Sequence, residues 1–135
     1  MDRANKGQTA YITVTVYDDE TGFPVFQHTY LNGVLQSPPD DSPAYVLYDD
    51  LGRVREMIWH DSGSIGRVGG PATIKLNPEN GIHILESYVV NSVRTRSATE
   101  PAVIVRDPQS GKTLKCEYYL NGKKLPAPDT PSLEK

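Results

Sequence analysis

Three histidines, one cysteine and several runs of acids are the residues that could carry chemistry in this chain. His28, His60 and His83 are too far apart in sequence for a His-x-x-x-His or His-Glu-x-x-His ligand pair, so structural or surface roles are expected. The acidic runs Asp18-Asp19-Glu20, Asp40-Asp41 and Asp49-Asp50 lack the alternating oxygen ligands and terminal bidentate Glu of a calcium loop. They fall in turn-like strings, where Asp holds the backbone locally. The glycine-rich stretch 62–70 has no Gly-Lys-Ser ending and no helix pattern behind it, so it reads as a linker rather than a phosphate cradle. Cys116, beside Lys115 and Glu117 on an alternating segment, is expected as a core thiol rather than a nucleophile. No Ser-His-Asp signature stands in a usable context. The expectation is a non-enzyme that needs no cofactor and no metal.

What remains are binding residues. Tyr30, Trp59, Tyr88 and Tyr119 recur at near-regular spacing, and Arg67, Arg94 and Arg96 lie shortly after two of them. Tyr, Trp and Arg are the side chains that most often anchor protein interfaces. These seven are the candidate partner-binding residues.

The elements that would position them follow from a repeat. Gly22, Gly52, Gly81 and Gly111 are 30, 29 and 30 residues apart, each ending a polar turn string. Shortly after each aromatic comes a second turn: Asn32-Gly33, Asp61-Ser62-Gly63, Asn91-Ser92 and Asn121-Gly122. Pro43-Ala44, Pro71-Ala72 and Pro101-Ala102 keep the same period. Gly supplies positive φ without steric cost, and Asn-Gly between apolar stretches signals a hairpin. Between the turns the residues are β-branched or aromatic and often alternate, as in Tyr11–Tyr17. The pattern predicts an all-β chain: an antiparallel meander of four β-hairpin repeats of about 30 residues in a twisted open sheet. Strands are expected at 10–17, 24–31, 43–49, 53–60, 71–77, 82–90, 101–106 and 112–120. Linkers 34–42, 64–70 and 92–100 would join the hairpins, the first two as extended segments crossing one sheet face. Residues 1–8 are expected as a flexible N-terminus, 9–125 as a single domain and 126–135 as a disordered tail.

Tyr30-Leu31-Asn32-Gly33 and Tyr119-Leu120-Asn121-Gly122, with Gly70-Pro71-Ala72 as a strand start, resemble the MORN-type hairpin repeats in their degenerate bacterial and viral variants. Ser42-Pro43-Ala44 and Glu100-Pro101-Ala102 match without the glycine, and Arg67 and Arg96 stand where a basic residue often precedes it. The resemblance covers roughly residues 10–125. The unit here is longer than the short MORN repeat, and the second copy reads Trp59-His60-Asp61-Ser62-Gly63. The resemblance implies a non-enzymatic binding scaffold.

Composition narrows the partners. A net charge of −3 argues against general nucleic-acid or anionic-membrane binding. Residues 1–67 carry ten acids and five bases, whereas 68–135 carry seven acids and nine bases, so the acidity is concentrated in the first half. No apolar run is long enough for a transmembrane helix, and Met1–Lys6 is not followed by a signal-peptide core. A single cysteine and no leader make a cytoplasmic location the expectation. A protein partner is expected, and a homodimer, because a thin open sheet buries little surface per residue. The function read from the sequence is a protein-interaction module presenting a sheet face or edge. The alternative is a small viral or phage accessory inhibitor that blocks a host or defence enzyme, its acidity mimicking nucleic acid.

Overall fold

The computed structural model describes residues 10–128. Within them the chain is all β, and no helix is present that could cross a membrane. The main sheet is antiparallel and open. Its path runs β1 (Tyr11–Tyr17), β2 (Pro24–Leu31), β4 (Tyr45–Tyr48), β5 (Val54–Ile58), β8 (Thr73–Leu76), β9 (His83–Ser87), β12 (Val103–Arg106), β13 (Thr113–Leu120) and β14 (Lys123–Leu125). β3 (Val34–Leu35) pairs with β2 off this path. Two short ribbons stand apart: β6 (His60–Asp61) with β7 (Ser64–Ile65), and β10 (Val89–Val90) with β11 (Val93–Arg94). The expected termini 1–8 and 129–135 lie outside the described residues, while 126–128 carry no regular structure.

In such a meander the turns after β1, β4, β8 and β12 all lie along one rim. The same chemistry closes each. Asp18, Asp49, Asn77 and Asp107 accept, on a side-chain oxygen, the N–H two residues ahead at 2.7–3.0 Å. The backbone N–H of the same four residues donates to Phe23, Arg53, Ile82 and Lys112 at 2.8–2.9 Å. Gly22, Gly52, Gly81 and Gly111 supply φ of 75–79° at each turn. A register shift precedes each turn, between Val16/Tyr17, Leu47/Tyr48, Lys75/Leu76 and Val105/Arg106. An extra residue of this kind sharpens the local twist. These four Asp and Asn side chains are therefore engaged in closing the turns, Asp49 also pairing with the Arg53 guanidinium.

Along the opposite rim the strands leave the main sheet earlier than the alternation suggests. The expected strands 53–60 and 82–90 each break, at Trp59 and Tyr88. There the N–H donates to Ala72 O or Ala102 O across the main sheet, and the carbonyl accepts from Gly66 or Thr95 at 3.0 and 3.1 Å. Thr29 behaves alike, donating to Ala44 O and accepting from Gln36. Tight hairpins close this rim, with positive φ at both tip residues: Asn32/Gly33, Ser62/Gly63, Asn91/Ser92 and Asn121/Gly122. The linkers 34–42, 64–70 and 92–100 thus begin as the return strands β3, β7 and β11 of these tips, where plain linkers were expected, the first two as extended segments crossing one sheet face.

Cross-strand register sorts the two faces. One row runs Val46–Met57–Ile74–Glu86–Ile104–Cys116. Val46, Ile74 and Ile104 on it are buried, as are Ala44, Ala72 and Ala102 of the Pro-Ala pairs, which show no exposure at all. Cys116 closes this row and is exposed, not the core thiol expected. The reason is positional: β14 covers β13 only from Tyr118 to Leu120, which leaves the strand at Cys116 on an open edge.

Candidate interaction surface

Two of the candidate aromatics, Trp59 and Tyr88, are held in the same way. Trp59 is 4% exposed, and its indole N–H donates to Asp41 O at 2.9 Å. The Arg67 guanidinium lies 3.9 Å from the ring centroid. Its Nη1 donates to Pro71 O at 3.1 Å, while Nε and Nη2 grip the Asp41 carboxylate at 3.1 and 2.7 Å. Arg67 thereby holds Asp41 below the usual carboxylate range through that hydrogen-bonded pair. Further along the chain, Arg96 lies 3.9 Å over Tyr88 and donates from Nη1 to Pro101 O at 3.1 Å. Its acid, Glu100, is farther away at 3.7 Å. In both cases a guanidinium is stacked on an aromatic face and fixed to the carbonyl of the Pro-Ala strand start, an arrangement that suits Arg and not Lys.

These clamps sit along the rim of tight hairpins, and each hairpin is hydrogen-bonded to the next. Ser37, Arg67 and Arg96 donate their N–H groups to His60 O, Val89 O and Tyr119 O. Gly63, Ser92 and Gly122 donate back to Leu35 O, Ile65 O and Arg94 O. Two open clefts lie between the stacked segments. One, of about 320 Å³, is flanked by Arg67, Tyr88 and Arg96. The other, of about 290 Å³, is flanked by Trp59, His60, Asp61 and Arg67. His60 is 8% exposed, and its Nδ1 has no hydrogen-bond partner among the described residues. Burial lowers its pKa, and the neighbouring His28 adds to that. Arg94 is exposed, its guanidinium 5.2 Å from the Tyr119 ring centroid, and projects its charge from the same rim.

Tyr30 belongs to a different surface. It donates to or accepts from His28 Nδ1 at 3.0 Å, and its strand register faces Ile12. His28 packs against Phe26, Tyr30 and Tyr45, with ring centroids 4.6–5.9 Å apart. On the same face lie Ile12, Val14 and Val16 of β1, which are 61%, 45% and 38% exposed. Register continues these rows through Tyr45, Leu47 and Ile58, then into charge at Glu56–Lys75 and Lys115. Among the described residues, the amino-terminal third of this face is thus an apolar and aromatic surface, exposed at β1 and half-buried at β2 and β4. An exposed patch of this kind is a usual mark of an interaction site.

The candidate residues therefore divide between two places. Trp59, Tyr88, Arg67 and Arg96 join with Arg94 and Tyr119 along the hairpin rim, and Tyr30 lies on the apolar face. Spacing alone groups Tyr30 with Trp59 and Tyr88, yet by hydrogen bonding the residue at their position is Thr29, 3% exposed. Asp41 and the β1 apolars were not singled out from the sequence. The alternation of Tyr11–Tyr17 carries the signal for the latter, whereas nothing local marks Asp41 as the acid of Arg67. His83 pairs with Glu86 at 2.7 Å, and Arg106 reaches the same carboxylate at 3.3 Å. Burial pushes Glu86 up, but these two partners outweigh it and hold it low. Among the described residues, no three His, Cys, Asp or Glu side chains are grouped to hold a metal ion. Comparison with protein-family models, curated proteins and solved structures finds no match.

Proposed function

We propose that the chain is a non-enzymatic protein-interaction module, built from four related hairpin units of the MORN type and presenting its sheet to a partner protein. The unit reading rests on the recurring turn chemistry, tip geometry and inter-tip hydrogen bonds. The observation that carries the function is the surface formed by the exposed Ile12, Val14 and Val16 beside the half-buried Phe26, Tyr30 and Tyr45. Side chains of this type gain about 25 cal/mol per Å² when a partner removes them from water. The hairpin rim with Arg94 is the second contact region, where charge would steer the encounter.

The test is affinity capture from a lysate of the source cells, followed by calorimetry on the purified partner. Phe26→Ser should weaken binding at least tenfold, and Arg94→Ala should slow association with less effect on dissociation. If wild-type chain retains no protein in stoichiometric amount, or all variants retain it equally, the reading fails. If the captured protein is an enzyme that loses activity on binding, the module is an inhibitor.

A further inference from the structure

The two edges of the main sheet are built differently. The last strand of the path, β14, has three residues and carries Lys123 and Lys124. A short, charged edge of this kind resists pairing with another strand. β1 is the opposite case. It has seven residues, Tyr-Ile-Thr-Val-Thr-Val-Tyr, with no charge, no proline and no glycine. Among the described residues only its inner side is paired, with β2.

The direction of its free backbone groups can be worked out. Thr29 donates its N–H to Ala44 O on the β4 side. It therefore cannot exchange hydrogen bonds with its β1 partner Thr13, and the close contact of the two hydroxyls at 3.0 Å fits such a pair. Thr13 then points its N–H and C=O outward, and alternation gives Tyr11 and Thr15 the same direction. Ile12, Val14 and Val16 bond inward to β2.

The strand is also a palindrome of side-chain types about Val14. Tyr11 mirrors Tyr17, Ile12 mirrors Val16, and Thr13 mirrors Thr15. We propose that β1 pairs antiparallel with β1 of a second copy, centred on Val14, joining two sheets across a two-fold axis. In that register Thr13 faces Thr15 of the second copy, and both are outward-pointing, so they exchange both backbone hydrogen bonds. Val14 faces its own copy and Ile12 faces Val16, on one face. The exposed apolar rows of the two chains thereby become continuous. A shift by one residue would set inward-bonding residues opposite outward-pointing ones and apolar side chains opposite threonines, so it is excluded by the pleat. Like edges pairing with like closes at two copies, whereas β1 against the lysine-bearing edge would propagate without end.

This deepens the interaction-surface reading by committing one edge to a second copy. The full chain should sediment at equilibrium with twice its 14.9 kDa mass at micromolar concentration. Val14 is the one position that meets itself. Val14→Lys and Val14→Glu should each give monomers that still unfold cooperatively in urea, at midpoints independent of protein concentration, and an equal mixture of the two should restore the dimer. In a Cys116→Ser background, Val14→Cys should form a disulfide with itself, and Ile12→Cys should do so only with Val16→Cys. A monomer at all concentrations, a dimer that survives Val14→Lys, or crosslinks in another register would overturn the pairing. A monomer that still captures a partner protein defeats the pairing alone, and a dimer that captures none defeats the partner reading alone.

Discussion

Replacing Arg67 by Met keeps the aliphatic stem and removes the guanidinium. Three interactions go with it: the stack on Trp59 at 3.9 Å, the bond to Pro71 O at 3.1 Å, and the grip on Asp41. A partly desolvated cation–π contact contributes about 1–2 kcal/mol. A hydrogen bond from a charged donor to a carbonyl adds about 1.5 kcal/mol. The Arg67 side chain is 18% exposed, so part of this is offset by the desolvation it no longer suffers. A net loss of about 2 kcal/mol is expected, against total stabilities of about 5–15 kcal/mol. With a urea slope of about 1–2 kcal/mol/M for a chain of this size, the midpoint should fall by about 1–2 M. The Asp41 side chain is 59% exposed, so water screens the ion pair and Asp41→Asn should move the midpoint by well under half as much. Arg96→Met is the discriminating comparison. It loses the same stack and the same carbonyl bond, but its acid is 3.7 Å away. The reasoning therefore requires Arg96→Met to approach Arg67→Met. It is refuted if Arg96→Met is silent while Asp41→Asn matches Arg67→Met, since the ion pair would then carry the energy.

Three further outcomes follow from particular residues. Gly52→Ala should destabilise more than Gly22→Ala, because both are at positive φ but only at Gly52 would the new Cβ meet Phe23 at 3.1 Å; paired urea melts would show roughly 1–3 kcal/mol against about 1 kcal/mol. Cys116 should react with a thiol reagent in the native state about as fast as in urea, and strong protection would contradict its exposure. His60 has a lowered pKa, so the unfolded chain binds its proton first, and stability should decline as pH falls below the unperturbed value of about 6.5. The carboxylates held low, Asp41 and Glu86, lose their contribution only in the more acid range below about 4. His60→Gln should flatten the slope between pH 7 and 5 while leaving the acid limb, as thermal melts across pH would record.

Most of the sheet could be read from residue types because its signals are local. Positive φ at Gly22 or Asn32-Gly33 and side-chain-to-backbone bonds at Asp18 or Asp107 are decided within five residues. The breaks at Trp59 and Tyr88 were not legible, since Ile58 leads into the first and Val89-Val90 lead out of the second, and neither break carries a Gly or Pro. What ends those strands is a carbonyl captured by Gly66 or Thr95 seven residues later. Burial of Cys116 was misjudged for a related reason. Alternation assigns a face, but whether anything covers that face depends on how far β14 extends. The partners of Arg67 lay beyond reach as well, because Asp41 is supplied by a linker 26 residues earlier. Those contacts depend on how successive hairpins stack.

The sheet's two ends bear on how it would carry mechanical load. β1 and β14 lie at opposite ends of the main sheet's path, along which each strand pairs with the next. Tension applied between them acts across the strands rather than along them, so the ladder is peeled one hydrogen bond at a time instead of being sheared all at once. Each released stretch of 29 or 30 residues between successive glycine turns would add about 100 Å of contour length. The protein would yield at low force in regular steps, with the aromatic–arginine clamps at Trp59 and Tyr88 as the two catches along the way.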